Sequence, residues 1–234
     1  MDEMYERTLS LLGEAALKKL RASSVCIIGL GGVGSYAAEA CARSGFGTVA
    51  LIDHDTYSPS NLNRQLGALR STLGMKKTSV TKERIKDINP EAVVLGIDVF
   101  ITADNVPSLG LEKYDFVIDA IDNVTAKVAV ASFCRACGTP SISVMGTGNK
   151  LRPEMLEVSD IYSTSVCPLA KAVRKLARDT GLPSLKVIYS REEPIVRSRT
   201  PASLSFVPAA AGLIAAREAL LAVAGGLIGA KTEA

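Results

Sequence analysis

The chain has 234 residues, of which 47% are hydrophobic and 22% are charged, a composition typical of a globular domain with a full core. It carries 27 Lys and Arg residues against 24 Asp and Glu residues, so the formal net charge is +3. This charge is too small to indicate a nucleic-acid-binding protein by itself, since such domains usually carry a stronger, clustered basic excess.

Three features favour a cytoplasmic protein without a membrane segment. Residues 1–20 contain no basic start, apolar run or small-residue cleavage site, so no signal peptide is expected. The most apolar stretch, residues 206–229, has Arg217 and Glu218 near its middle, which favours a buried helix over a membrane span. The five cysteines are odd in number and unevenly spread, as is usual in a reducing compartment.

Hydrophobic periodicity predicts alternating strands and helices along most of the chain. Helices are expected at 4–21, 35–44, 76–88, 124–137, 168–180 and near 208–224, and strands at 24–28, 48–52, 92–99, 116–120, 141–144 and 185–190. Residues 54–71 are polar and predict a long loop. The pattern predicts an α/β fold: a Rossmann-like, doubly wound, mostly parallel sheet with flanking helices and an irregular C-terminal extension.

A glycine-rich turn follows the first predicted strand. Residues 29–34 read G-x-G-x-x-G and lead into the first helix of the sheet, with glycine at Gly29, Gly31, Gly32 and Gly34. Glycines in this context permit a tight turn and a close backbone approach to a phosphate at the helix N-terminus. Asp53 ends the next strand about 20 residues on, where a ribose-binding acid belongs. These features fit an NAD-dependent enzyme and an ATP-using enzyme equally well.

The following loop favours ATP chemistry. Arg64 can neutralise charge that develops on the β- and γ-phosphates as pyrophosphate leaves, a role that a dehydrogenase does not require. Asn61 and Gln65 can hold the triphosphate by neutral hydrogen bonds, and Lys77 supplies a compact cation at the start of a basic helix.

Two acids follow the strand at 116–120. Asp122 can bind magnesium through oxygen ligands at the carboxyl edge of the sheet. Asp119 lies at the same edge, and an equally good interpretation is that it caps the next helix.

Together these segments resemble the adenylylation signature of the ThiF/MoeB/HesA superfamily over residues 4–150. The motifs that carry the resemblance are Gly29–Gly34, the pair Asp53 and Asp55, Ser60–Gln65, Gly74–Lys77 and Asp119–Asn123. The resemblance implies that Asp53 and Asp55 bind the nucleotide, with Asp53 at the ribose. It also implies that Asn61, Arg64, Gln65 and Lys77 contact phosphates and that Asp122 binds Mg²⁺. Arg7 matches an arginine that reaches into the partner subunit's site, so a homodimer is implied.

The cysteines do not form a zinc-site pattern. Cys134 and Cys137 are the only C-x-x-C pair, and a structural zinc needs four ligands. We expect both to fill a packed helix face and Cys167 to have no chemical role. His54 is expected to be an ordinary loop residue.

The second half resembles the tRNA threonylcarbamoyladenosine dehydratase branch of the superfamily, on residues 143–150, 167–171, 189–194 and 203–208. This implies one ThiF-type adenylylation domain over 1–234, with 1–150 binding the nucleotide and 151–234 facing the substrate and the dimer partner. The implied activity is adenylylation of the threonylcarbamoyl carboxylate at tRNA position 37, followed by cyclisation with release of AMP.

The resemblance implies contact with the anticodon-loop region of tRNA. Seven basic residues are candidates for phosphate contacts: Lys171, Arg174, Lys175, Arg178, Arg191, Arg197 and Arg199. A monovalent cation is a further expected ligand, without identified residues. The alternatives are an activator of a ubiquitin-like sulfur carrier and, third, a nucleotide-binding regulator or dehydrogenase.

Overall fold

A computed structural model describes residues 3–196 and 201–229. The strands are β1 (Ser24–Ile28), β2 (Thr48–Ile52), β3 (Val93–Ile97), β4 (Phe116–Asp119), β5 (Ser141–Val144), β6 (Leu156–Asp160) and β7 (Lys186–Ser190). The α-helices are α1 (Glu6–Leu12), α2 (Glu14–Arg21), α3 (Gly34–Ser44), α4 (Lys77–Ile88), α5 (Val124–Cys137), α6 (Pro168–Asp179) and α7 (Phe206–Ala224).

The strands form one sheet in the order β3-β2-β1-β4-β5-β7-β6. All neighbours pair in parallel except β6, which is antiparallel to β7. The chain proceeds from β1 toward β3 in one direction and from β4 toward β7 in the other. The order therefore reverses between β1 and β4, and ligands of such sheets bind in the crevice at that point.

Strands β1, β2, β4 and β5 are short because they are buried on both faces and end where polar residues begin, whereas the edge strands β3 and β6 are only partly buried. Val25, Ile27, Leu51 and Ile118 are fully buried. Helices α2, α3 and α7 share one apolar cluster with the sheet, and α5 packs on the opposite face. The predicted doubly wound α/β architecture is confirmed, because helices cover both faces of a mostly parallel sheet.

Two local predictions differ from the structure. The helix predicted over 4–21 is divided at Gly13, whose φ of 86° lies outside the helical region, into α1 and α2. Strand β6 was not predicted, because its five side chains are all half-buried and show no alternation between buried and exposed positions. Its pairing with β7 adds an ordered edge to the C-terminal part of the chain.

Helix α7 packs closely on the helix that follows the glycine turn. A Cβ at Gly212 would lie 2.3 Å from the carbonyl oxygen of Val33, so only glycine permits this approach. Residues Phe206–Leu227 are long and apolar enough to cross a membrane by length and composition, and 44% of their most apolar window is buried. Ala211, Ala215 and Ala219 belong to the core cluster, which is the packing of a core helix.

Candidate active site at the carboxyl edge of the sheet

A cavity of about 580 Å³ opens where β1, β2, β3, β4 and β5 end. Its walls come from the segments that follow these five strands and from the start of α7. The lining residues central to the site are Gly31, Asp53, Asn61, Arg64, Gln65, Lys77, Asp122, Thr147 and Ser203. The structure thus brings together the residues that the sequence assigned to the nucleotide, although they come from different segments.

The glycines of the turn have two different roles. Gly29 has a φ of 88°, and a Cβ at Gly34 would lie 1.7 Å from the Gly29 carbonyl oxygen, so these positions close the turn. A Cβ at Gly31 would meet nothing nearer than Gln65 Nε2 at 3.9 Å, so this glycine faces open space in the cavity. Helix α3 begins at Gly34 without a side-chain cap, and its Ser35 amide donates to the Gly31 carbonyl at 3.1 Å. The positive end of a helix beside a glycine turn is favourable for a phosphate.

Asp53 connects the end of β2 to the glycine turn. Its Oδ2 accepts the Leu30 amide at 2.6 Å and its Oδ1 accepts the Asp55 amide at 2.8 Å. The side chain is only 8% exposed. A carboxylate oxygen can accept more than one hydrogen bond, so Asp53 retains acceptor capacity for the two hydroxyls of a ribose.

Lys77 is the first residue of α4 and is almost completely buried. Its Nζ lies 2.9 Å from Asp55 Oδ2, and His54 Nε2 lies 3.0 Å from Asp55 Oδ1. Burial raises the pKa of Asp55, but the hydrogen bond and charge of Lys77 outweigh it and leave that pKa lowered. The pair therefore holds the Lys77 ammonium at the cavity wall in a fixed position.

His54 also contacts Phe100 edge-on, with ring centroids 4.7 Å apart. The potential ligand atoms of Asp53, His54 and Asp55 lie within 4.8 Å of one another, close enough for a metal ion. However, Asp53 already accepts backbone amides and Asp55 already accepts Lys77. These contacts account for the cluster without a cation.

The loop between β2 and α4 brings three polar side chains to the cavity. Arg64 donates from Nη1 to the Ser60 carbonyl at 2.9 Å and to Asn63 Oδ1 at 3.0 Å. Asn61 Oδ1 accepts the Ser58 amide at 3.1 Å, which shapes the turn that precedes Arg64. Gln65 is 7% exposed, and its buried Oε1 has no hydrogen-bond partner among the described residues. A buried amide oxygen of this kind beside a cavity fits a polar ligand.

The turn between β4 and α5 shows whether Asp119 caps the helix that follows it. The residue that caps α5 is Asn123, whose Oδ1 accepts the Ala126 amide at 2.9 Å. The capping interpretation of Asp119 is therefore wrong: its carboxylate instead accepts Lys127 Nζ at 3.1 Å. Asp122 is exposed in the cavity and forms no ion pair within residues 3–196 and 201–229. A free carboxylate beside the glycine turn fits a hard divalent cation that also contacts phosphates.

The cavity wall includes residues that the sequence analysis did not assign. Val99, Phe100 and Ile101 follow β3, and Thr147 follows β5. Their position just after a strand was the signal that could have identified them. Arg7 does not line the cavity of its own chain; it is exposed on α1.

The cysteines differ in their environments. Cys134 is buried, and burial raises its pKa to about 12, whereas Cys137 is exposed. The expectation that both fill a packed face is therefore wrong for Cys137, which is the last residue of α5 and lies at the exposed end of the helix. Cys167 is buried at the start of α6.

Among the basic residues predicted as candidates for phosphate contacts, some are exposed and others already bond to groups of this chain. Lys171, Lys175 and Arg178 are exposed on α6. Arg174 instead donates to the Thr164 carbonyl at 2.7 Å, and Arg191 pairs with Glu157 at 3.1 Å. Arg197 and Arg199 lie outside the described residues.

Comparisons with known proteins find relatives over nearly the whole chain. A model of the ThiF family matches residues 5–232. The chain is 38% identical to the tRNA threonylcarbamoyladenosine dehydratase of Bacillus subtilis (strain 168), over 92% of each chain. The crystal structure of E. coli tRNA N6-threonylcarbamoyladenosine dehydratase, TcdA, in complex with ATP matches with a TM-score of 0.91 and 36% identity, covering 96% of this chain and 95% of that one. The same enzyme in complex with AMP matches with a TM-score of 0.90 and 37% identity, covering 94% and 93%. The chain therefore belongs to the ThiF family.

Proposed function

We propose that the chain is an ATP-dependent tRNA threonylcarbamoyladenosine dehydratase. The observation that carries the proposal is the single cavity that combines an open glycine turn, an unsatisfied buried Gln65 amide and an unpaired Asp122 carboxylate. This combination suits a nucleoside triphosphate with a divalent cation. Similarity to the named dehydratases over nearly the whole chain supports the choice of acyl substrate.

In the proposed reaction, a carboxylate oxygen of the threonylcarbamoyl group attacks the α-phosphorus of ATP and pyrophosphate leaves. The glycine turn and the α3 N-terminus bind the phosphates, and Asp53 orients the ribose. Arg64 and Lys77 neutralise charge on the departing β- and γ-phosphates. Asp122 would hold Mg²⁺, which supplies further neutralisation of phosphate charge when bound.

The second step needs no enzyme nucleophile. An internal nucleophile of the substrate attacks the acyl carbon of the adenylate, the acyl–oxygen bond to AMP breaks, and the ring closes. The net change is loss of one water from the nucleoside, with ATP converted to AMP and pyrophosphate. The chain contributes positioning and exclusion of water from a reactive adenylate. Thr147 and Ser203 also line the cavity, and their hydroxyls can hydrogen-bond the acyl group.

The macromolecular partners follow from the same proposal. The exposed bases Lys171, Lys175 and Arg178 would contact tRNA phosphates near the anticodon loop. A homodimer would bring Arg7 of one subunit to the triphosphate of the other, which agrees with its exposure and its absence from the wall of its own cavity. A cytoplasmic location is part of the proposal, because tRNA and ATP are available there.

The test is AMP release from ATP and Mg²⁺ with two matched tRNAs, one carrying threonylcarbamoyladenosine and one lacking it. The expected result is release only with the modified tRNA, together with a one-water mass loss in the nucleoside. Release with neither tRNA, but with a small ubiquitin-like carrier protein, would instead identify a sulfur-carrier activator. That outcome would contradict the dehydratase proposal and retain the adenylylation site.

A further inference from the structure

A lysine with no part in the proposed reaction is completely buried beneath the cavity. Lys127 lies in the first turn of α5 and is 0% exposed. Lysines are almost never fully buried unless they are paired, because desolvation of the ammonium is costly. Burial lowers the pKa of Lys127, whereas the charge and hydrogen bond of Asp119 oppose this shift. Core packing alone therefore does not explain why a lysine is buried at position 127.

Three side chains from three elements form what we call the buried ring: Asp119 of β4, Lys127 of α5 and Ser143 of β5. Lys127 Nζ donates to Asp119 Oδ2 at 3.1 Å and to Ser143 Oγ at 3.0 Å. Ser143 Oγ donates to Asp119 Oδ2 at 2.6 Å, which closes the ring. Asp119 and Ser143 are register partners on adjacent parallel strands, so the sheet itself sets their spacing.

The buried ring connects to the cavity through the second oxygen of Asp119. Asp119 Oδ1 accepts the Ile121 amide at 3.1 Å, which fixes the turn that follows β4. The same turn packs against the glycine turn, since a Cβ at Gly29 would lie 3.0 Å from the Ala120 carbonyl oxygen. Asp122 is the next residue and reaches the cavity. The hydrogen bond from the Ile121 amide thus links the buried ring to the turn that carries the proposed magnesium ligand.

We infer that Lys127 is a positioning residue for Asp122. Its ammonium holds the Asp119 carboxylate in one orientation, and this orientation keeps the Ile121 amide bonded and Asp122 directed at the phosphates. Without the ammonium, Asp119 would be a buried carboxylate lacking its counter-charge, and such a group reorients or draws in water. The inference rests on the proposed function, because Asp122 matters only if the cavity binds ATP with Mg²⁺.

The first test does not depend on any ligand. Lys127→Met removes the charge at similar volume. Hydrogen exchange of the Ile121 amide directly measures how stably that amide is bonded to Asp119. We expect exchange at Ile121 to become at least about tenfold faster, a loss of about 1.4 kcal/mol of local protection. Glu218→Gln is the matched control, because Glu218 is also buried and pairs with Lys186 at 2.6 Å, far from this turn. Equal exchange at Ile121 in Lys127→Met and wild type would overturn the inference.

The second test measures ATP affinity by calorimetry with and without Mg²⁺. Lys127→Met is expected to weaken Mg²⁺–ATP binding about tenfold, with little change in binding of ATP alone, whereas Glu218→Gln changes neither. If wild type itself shows no Mg²⁺ dependence, the proposed metal site fails and the inference fails with it. If wild type shows the dependence and Lys127→Met retains it in full, only the inference fails.

A double-mutant cycle tests whether Lys127 acts through Asp119. Asp119→Asn and Lys127→Met are expected to be non-additive: the double variant should weaken Mg²⁺–ATP binding no more than the worse single variant. Additive losses would show an independent role for Lys127 and overturn the inference. If Lys127→Met does not fold, Ser143→Ala removes one acceptor of the same ammonium. It should speed Ile121 exchange about two- to fivefold, roughly the loss of one hydrogen bond, and unchanged exchange would again contradict the inference.

Discussion

The two ends of the sheet use charged side chains in different ways. At the β2–β1–β4 end, two lysines are buried and each has a fixed carboxylate partner: Lys77 pairs with Asp55, and Lys127 pairs with Asp119. On α6, which packs on α5 beside the β5–β7 end, Lys171 and Lys175 are exposed. Buried pairs act over short distances and are weakly screened, whereas exposed charges are screened by salt and individually weak. We therefore expect large single-residue effects at the first end and small, graded effects at the second.

The largest effect is expected for Arg64→Ala. This change should lower ATP–pyrophosphate exchange by about 10²–10³-fold, the range seen when a donor to developing charge is removed. The fold should persist, because Arg64 bonds only to its own loop. Arg70→Ala is the control, an exposed arginine of the same loop that does not line the cavity. Equal losses in both variants would remove the role assigned to Arg64.

Arg7 tests whether the candidate active site is shared between the two subunits of a dimer. Arg7→Ala should impair exchange, and mixing it with the Arg64→Ala protein should restore about a quarter of wild-type activity if half of the dimers are hybrids with one intact site each. The measurement is exchange after subunit mixing, with hybrid formation verified by tags. Verified hybrids without activity would contradict a shared site.

Gly34→Ala tests the packing beneath the cavity. Its Cβ would lie 1.7 Å from the Gly29 carbonyl oxygen, so the free energy of unfolding should fall by about 1–3 kcal/mol or more, and ATP binding should weaken. Gly31→Ala is the control, since its Cβ meets nothing within 3.9 Å, and the unfolding free energy should change by less than about 0.5 kcal/mol. Denaturant titration of both variants measures the difference. Equal unfolding free energies for Gly34→Ala and Gly31→Ala would contradict this prediction, because the glycine turn would then accommodate the added methyl group at position 34.

Glu218 sharpens the comparison with an ion pair between a buried carboxylate and the half-exposed Lys186 of β7. Burial raises its pKa, but hydrogen bonds from Lys186 and Arg217 leave it lowered from 4.5. A lowered folded-state pKa stabilises the fold at neutral pH, and this stability is lost as the pH falls through the folded-state value. Near pH 7, Glu218→Gln should therefore lower Tm by about 2–4 °C for each kcal/mol of unfolding free energy that the substitution removes. The difference should shrink below pH 4.5. A constant difference across pH would contradict the ion-pair explanation.

The smallest effects are expected on α6. Lys171→Ala or Lys175→Ala should weaken tRNA binding by a few-fold and reduce the salt slope by roughly 0.7–0.9 each. Arg174→Ala is the matched variant on the same helix: its guanidinium bonds the Thr164 carbonyl, so it should lower Tm and leave the slope unchanged. If none of the three substitutions changed the salt dependence of tRNA binding, α6 would not belong to the tRNA-binding surface.

Much of the site was predictable because its signals are local. The glycine turn, the strand that ends at Asp53 and the loop carrying Arg64 each occupy a few consecutive residues. A parallel sheet then collects strand ends at one edge, so Asp53 and Asp122 had to approach each other. The roles assigned to these residues remain predictions, whereas their convergence on one cavity is confirmed.

Other features could not be predicted, because they depend on partners distant in sequence. Part of the environment of Asp119 is supplied by Ser143, 24 residues further on. Arg174 was a candidate for phosphate contacts, but its guanidinium bonds the segment that precedes α6. Half-buried β6 carries no alternating pattern, so only its pairing with β7 defines it.

The sequence by itself determined the α/β class, the order of the elements and the glycine turn. These follow from periodicity and from glycines, whose effects act within a few residues of the chain. The tertiary structure alone decided which charges are paired and which are exposed. Those outcomes depend on sheet register and helix packing, because a buried ion pair forms only where two distant segments exclude water together.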